Sequence, residues 1–154
     1  MITEHAVQLA ACADAPAIAE LSRDCIEHGL RWSWTPARVL RCIRDRSTNV
    51  AVVREGRVLA GFAIMKYADE EAQLFLLAVR ATHRRRGLGT ALLAWLETTA
   101  RTMGVTAIWL QVRASNASAI AFYGRLGFRS MGLHTGYYQG VEDALFMAKD
   151  TMHP

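Results

Sequence analysis

Hydrophobic and polar positions change period several times along the chain, and each change marks an element. Residues 5–10, His-Ala-Val-Gln-Leu-Ala, alternate and read as a first strand. From Asp14 the period is helical: Ile18, Leu21, Cys25 and Ile26 share one face, with Asp14 placed to cap the start and Pro16 in the first turn. This helix is expected to run to about His28 and to stop at Gly29. Thr35-Pro36 opens a second helix with Val39, Leu40 and Ile43 inward. Residues 50–53 then read as a strand, Glu55-Gly56 as a hairpin turn and 58–65 as the return strand. The nearly continuous apolar run 74–79 is the pattern of a central strand. Over 87–103 the spacing of Leu88, Leu92, Trp95, Leu96 and Met103 is helical again, closed by Gly104. A strand at 107–112, a helix at 116–126 ended by Gly127, and strands at 128–133 and 144–147 complete the chain. A helical pair, a β-meander and then strand–helix–strand–helix–strand predict an α/β (α+β) fold on a mixed sheet.

The chain has 154 residues with no linker, repeat or low-complexity tract, so one domain over 1–154 is expected. A 52% hydrophobic and 21% charged composition places it among folded rather than disordered chains. Cys12, Cys25 and Cys42 are odd in number and form no Cys-x-x-Cys pair. They suggest neither a disulfide framework nor a metal site, and they suit a reducing compartment. The start lacks the basic, apolar and small-residue sequence of a signal peptide, and no run approaches the ~20 apolar residues that span a bilayer. The expected location is the cytoplasm, with no membrane partner.

A formal net charge of +4 makes an anionic ligand plausible. The sharpest basic cluster, His83-Arg84-Arg85-Arg86, is followed at once by glycines, which favours a compact phosphate site over a nucleic-acid face. No helix-turn-helix, zinc or RNP signature accompanies it, so no nucleic-acid partner is expected. The local order is strand, basic loop, glycine-rich helix start. A helix N-terminus offers unpaired N–H groups and the positive end of the dipole, a cradle for a diphosphate. Gly87 and Gly89 would let backbone approach phosphate with no Cβ in the way. The Gly-Lys-Ser/Thr ending of a Walker loop is missing, and Leu92 stands where a dinucleotide fingerprint needs its third glycine.

Arg84-x-x-Gly87-x-Gly89, following Leu77-Ala78-Val79, resembles the acetyl-CoA pyrophosphate motif of the GNAT superfamily. A second block, Asn116-Ala117-Ser118-Ala119-Ile120-Ala121-Phe122-Tyr123-Gly124-Arg125-Leu126-Gly127-Phe128, resembles that family's Asn-x-x-Ala-x-x-Phe-Tyr-x-x-Leu-Gly-Phe motif. The resemblance covers roughly residues 48–148. It implies a mixed, mostly antiparallel sheet of about seven strands flanked by about four helices. It also implies acetyl-CoA as cosubstrate and transfer of the acetyl group to a primary amine by an enzyme that is a monomer or homodimer. The backbone of Leu77, Ala78 and Val79 would pair with the pantetheine arm. Arg84 and the segment Arg85, Arg86, Gly87, Leu88, Gly89 and Thr90 would hold the diphosphate, and Asn116 would contact the cofactor. Tyr123 would sit beside the thioester sulfur, where a phenol of pKa about 10 can protonate a leaving thiolate of pKa about 8.5.

Within the superfamily, residues 109–116 and the segment Gly136-Tyr137-Tyr138…Glu142-Asp143-Ala144 are similar to the bacterial ribosomal-protein alanine N-acetyltransferases and related N-terminal acetyltransferases. A protein or peptide N-terminal α-amine is the acceptor this implies. A small-molecule amine is the alternative, and a non-catalytic acyl-CoA-binding sensor domain a further one. Trp32 and Trp34 are candidates to wall the acceptor groove, and Tyr137 and Tyr138 to bind a peptide backbone. One position departs from the pattern: Gln111 stands where those enzymes carry a glutamate base. An amide cannot take a proton at neutral pH, although it can position a water or the amine. Glu70, Glu71, His134 and Glu142 are the substitute bases. An α-amine of pKa near 8 is about one-fifth neutral at pH 7.4 and a lysine only ~0.1%, so a weak base handicaps α-amine transfer less, by ~3 kcal/mol.

Overall fold

The computed structural model of the protein describes residues 6–152; His5 of the expected first strand lies outside them. Seven strands form one sheet in the order β1-β2-β3-β4-β5-β7-β6. They are β1 (Val7–Leu9), β2 (Thr48–Glu55), β3 (Val58–Ala68), β4 (Glu71–Val79), β5 (Ala107–Arg113), β6 (Arg129–Tyr138) and β7 (Glu142–Asp150). Every neighbouring pair is antiparallel except β4–β5. Four helices accompany them: α1 (Ala15–Cys25), α2 (Pro36–Arg44), α3 (Leu88–Thr102) and α4 (Ala117–Arg125). The element order is as the periodicity predicts, and the mixed, mostly antiparallel sheet is as the family resemblance implies.

Two details of the first helix differ from expectation. α1 ends at Cys25, three residues short of His28. Asp14 does not cap it, because its carboxylate is already used: it accepts from the Ala11 N–H at 2.8 Å and from Arg54 at 2.6 Å. That pair of bonds ties the turn before α1 to the end of β2 and holds the Asp14 carboxyl below its usual range despite partial burial. Thr35 does cap α2, accepting from the Arg38 N–H.

The two faces of the sheet carry separate cores. Ile18, Leu21, Val39, Val52, Phe62 and Ile64 pack under α1 and α2. Leu92, Leu93, Leu96, Met65, Ile108 and Leu110 pack under α3. β4 changes sides between them. Ala72 and Leu74 belong to the α3 core, whereas Leu76 and Ala78 belong to the α1/α2 core. Strict alternation would keep all four on one face. The register against β3 explains the switch: Met65 pairs with Leu74 and Ile64 with Leu76, so Phe75 is the extra residue of a β-bulge. Pairing of β4 with β5 ends at the same place, since Leu74–Leu110 is the last matched pair. A bulged strand bends, and beyond this point β4 and β5 part.

Candidate active site

The parting of β4 and β5 leaves residues 75–79 without a strand partner on the β5 side. Leu77, Ala78 and Val79 therefore present strand edge to a cleft, and one of these groups is already committed: the Val79 carbonyl accepts from Arg84 Nε at 3.1 Å. Arg84 also reaches the Cys25 Sγ at 3.6 Å, so this guanidinium fastens the basic loop to β4 and α1. Arg86 pairs with Glu55 at 2.7 Å, and His83 Nε2 lies 3.2 Å from the same carboxylate. Of the three arginines in the run, only Arg85 has no side-chain partner among the described residues.

The backbone of this loop leaves a row of donors without partners among the described residues. Arg85 and Gly87 adopt left-handed φ of 65° and 78°. Gly87 is the N-cap residue of α3, with no side-chain cap, and the first helical bond runs from the Ala91 N–H to the Gly87 carbonyl. The N–H groups of residues 85–90 consequently make no hydrogen bond among the described residues. Such a set at the positive end of a fifteen-residue helix suits a diphosphate. A cofactor with an extended amide-bearing arm and a diphosphate thus fits an open strand edge that leads to a row of free donors. The two glycines serve different ends. Gly87 is required by its φ. Gly89 matters through packing, because a Cβ there would stand 3.2 Å from the Phe122 ring of α4, which would have to give way by a few tenths of an ångström.

Asn116 spends its side-chain oxygen on capping α4, accepting from the Ala119 N–H at 3.1 Å, and its amide N–H₂ has no partner among the described residues. Tyr123 is the one buried residue of α4 and packs edge-on against Phe122 and Phe128, at 5.2 and 5.6 Å between ring centroids. Its hydroxyl has no hydrogen-bond partner among the described residues and is not sealed from solvent. Burial raises its pKa well above the usual tyrosine range, and the nearby Tyr138 adds to the rise. Tyr138 is itself pushed up to about 12, by burial first and then by Tyr137, with Arg113 and Glu142 also acting on it. Tyr123, Tyr138, Arg113 and Glu142 therefore form one neighbourhood.

Gln111 lies on the opposite side of the sheet plane. Ile108, Leu110 and Val112 of β5 enter the α3 core, so the alternate residues Trp109, Gln111 and Arg113 point to the α1/α2 side. Gln111 is the first β5 residue past the last β4 pair, which puts it at the opening of the cleft. The substitute bases do not converge there. Glu70 and Glu71 lie just before and at the start of β4, about 13 Å of strand from where the cleft opens at Phe75. Glu142 sits 3.3 Å from Arg113, and His134 is on the outer strand β6, stacked on Tyr137 at 4.9 Å.

The loop between α1 and α2 is organised by a residue with no sequence signal. Buried Glu27 accepts from the Ser33 N–H at 2.7 Å, the Ser33 hydroxyl at 2.8 Å, the Trp34 N–H at 3.1 Å and the Ser22 hydroxyl at 3.0 Å. Gln139, in the β6–β7 turn, pairs its side-chain amide with both backbone groups of Arg31, at 3.0 and 2.9 Å. This bridge joins two loops 108 residues apart. The tryptophans divide: Trp32 lies against α1, donating to the Ala19 carbonyl at 3.2 Å, whereas Trp34 is buried in the α1/α2 core. Tyr137 is exposed and meets Tyr138 edge-on at 4.9 Å.

Comparison with known proteins agrees with this geometry. Residues 15–128 match the acetyltransferase (GNAT) family model. The chain is 45% identical over 107 residues to a ribosomal protein bS18-alanine N-acetyltransferase of Salmonella typhimurium, covering 68% of this chain and 72% of that one. It is 38% identical over 110 residues to a streptothricin acetyltransferase of Streptomyces lavendulae, covering 68% of this chain and 58% of that one. The crystal structure of the ribosomal-protein-S18-alanine N-acetyltransferase from Escherichia coli superposes with a TM-score of 0.82 at 32% identity, over 96% of this chain and 94% of that one. The free donors at the start of α3, the open edge of β4 and these matches lead to one conclusion: the chain belongs to the GNAT family and is an acetyl-CoA-dependent N-acetyltransferase.

Proposed function

We propose that the acceptor is the α-amine of a protein or peptide N-terminus, and that the whole chain acts as one catalytic domain. The observation that carries this reading is Gln111 at the cleft opening, with the Glu142 carboxylate held by Arg113 at 3.3 Å. An amine already partly neutral at cellular pH needs least help from such a site. The 45% identity to a ribosomal protein bS18-alanine N-acetyltransferase supports the same class.

In this reading the edge of Leu77, Ala78 and Val79 binds the pantetheine arm, and the N–H groups of residues 85–90 hold the diphosphate. Arg85 adds charge to that cradle, while Arg84 and Arg86 fix the loop that presents it. The amide N–H₂ of Asn116 is left to reach the cofactor. Bound acetyl-CoA supplies the activated acetyl group. Gln111 orients the amine or a water. The amine nitrogen attacks the acetyl carbonyl and gives up its proton to water as the C–S bond breaks, and Tyr123, kept protonated by burial, donates its proton to the departing sulfur. Tyr137 and Tyr138 flank the acceptor backbone.

A competition between a peptide with a free N-terminus and its N-blocked, lysine-containing counterpart tests the acceptor. Acetylation of the free terminus alone is expected, and acetylation of only the blocked peptide overturns the reading. The 38% identity to a streptothricin acetyltransferase favours a second reading, a small amine as acceptor, which would show as turnover of small amines with neither peptide consumed.

A further inference from the structure

Between α2 and the bulge of β4 lies an open hollow of about 320 Å³ lined by Trp34, Arg38, Arg41, Cys42, Asp45 and Phe75. Its wall is aromatic: the Trp34 and Phe75 rings are 5.8 Å apart, and the Arg38 guanidinium lies 3.7 Å from the Trp34 ring centroid. A guanidinium laid on an indole keeps its N–H edge available to a planar oxygen pair.

The charges in the hollow do not balance. Asp45 is its one carboxylate, and it is fully engaged: Lys66 Nζ is 2.6 Å away, the Thr48 hydroxyl 2.7 Å, and the Ser47 N–H and hydroxyl 3.3 and 3.2 Å. These donors hold the Asp45 carboxyl far below its usual range. Burial pushes the Cys42 thiol up, so it contributes no negative charge. Neither Arg38 nor Arg41 has an ion-pair partner among the described residues. They stand three residues apart on α2 and therefore on one helix face.

The hollow also borders the reaction centre. Phe75 and Gln111 are the first residues beyond the last β4–β5 pair, and both lie on the α1/α2 side of the sheet. The last pair, Leu74–Leu110, holds the strands about 4.8 Å apart, and Phe75 and Gln111 each follow it by one residue. An extended peptide advances about 3.4 Å per residue, so side chains shortly after an amine at Gln111 come within reach of Arg38 and Arg41.

We propose that this hollow is an acceptor subsite for a carboxylate, taking the acidic side chain of a residue among the first few after the acetylated α-amine. The proposal rests on the reading of the acceptor as a chain N-terminus. A concave site with one aromatic wall and two adjacent guanidiniums matches the fork geometry of a single carboxylate better than a run of phosphates.

Steady-state kinetics on free-N-terminal hexapeptides, with Glu, Gln or Lys scanned through positions two to five, test it. At one position the wild type is expected to favour Glu over Gln by roughly tenfold in kcat/KM, carried by KM. Arg41→Gln should bring that ratio close to one, and Arg41→Glu should shift the preference toward Lys; Arg41 is exposed, so both variants should fold. Equal rates for Glu, Gln and Lys at every position, or a Glu preference unchanged in both variants, overturn the proposal. Calorimetry with the N-acetylated Glu peptide separates the subsite from the acceptor class. If no free terminus is acetylated yet this peptide binds wild type and not Arg41→Glu, the α-amine reading fails and the subsite stands. Tighter binding of a short oligoribonucleotide, lost in Arg41→Glu, would assign the hollow to nucleic acid instead.

Discussion

Burial of Tyr123 between Phe122 and Phe128 keeps its phenol protonated above the ordinary tyrosine range. Tyr123→Phe retains the ring packing and removes only the proton. It should lower kcat by about 10²-fold or more with little change in acetyl-CoA KM. The sign of the pKa shift adds a second readout. A raised pKa means the donor form persists as pH rises, so kcat should show no Tyr123-dependent alkaline fall below about pH 10. A kcat equal to wild type would leave Tyr123 a packing residue. The two glycines should separate in the same assays. Gly87→Ala places a Cβ on a left-handed backbone at a cost of about 1–2 kcal/mol and should raise acetyl-CoA KM. Gly89→Val presses on Phe122, the neighbour of Tyr123, and should lower kcat and melting temperature as well.

The α1–α2 loop and the β6–β7 turn act as elements tied down by single polar residues. Glu27→Ala strips four hydrogen bonds from buried or half-buried donors, which should cost about 2–4 kcal/mol and lower the melting temperature by about 5–12 °C. Gln139→Ala removes only the bridge to Arg31. Hydrogen exchange at residues 28–33 should quicken in that variant while α3 stays protected. Its acceptor KM should rise several-fold, in line with about 1 kcal/mol for a hydrogen-bonded contact. Unchanged exchange in the loop would show that Glu27 alone holds it. Neither residue announces itself in the sequence. Glu27 sits among polar and apolar neighbours near a helix end, and the partner of Gln139 is 108 residues away.

At the scale of the molecule, four matched residue pairs join the β1–β4 half of the sheet to the β5–β7 half, and the cleft opens where they stop. The buried pair of Lys149 in β7 and Glu97 in α3, 2.8 Å apart, ties the halves again behind the sheet. A ligand that spans the parted strands and the start of α3 should stabilise both halves together. Acetyl-CoA at about a hundred times its dissociation constant should add about 2.7 kcal/mol, read as a rise in melting temperature of about 5–10 °C. The rise should shrink in Gly87→Ala at the same ligand concentration. No helix among the described residues is long and apolar enough to cross a membrane.

The order of strands and helices was legible in the sequence because periodicity is a local property: each element carries its own alternation or helical stripe. The glycine-rich helix start at 85–90 was legible for the same reason, since Arg85 to Gly89 and the helix they open are contiguous. The α4 motif likewise marked Tyr123 as a candidate before its burial was known. What lay beyond reach depended on which distant groups meet. The run 74–79 is apolar throughout, so no pattern betrayed the bulge at Phe75 that switches faces and opens the cleft. Asp14 reads as a cap until Arg54 claims its carboxylate, and nothing local in the basic run foretells the bond from Arg84 to the Val79 carbonyl. Trp32 and Trp34 look alike in sequence, yet one lies on α1 and the other enters the core. A hydrogen bond or ion pair satisfies a side chain only where the fold brings its partner, and such partners leave no local period to read.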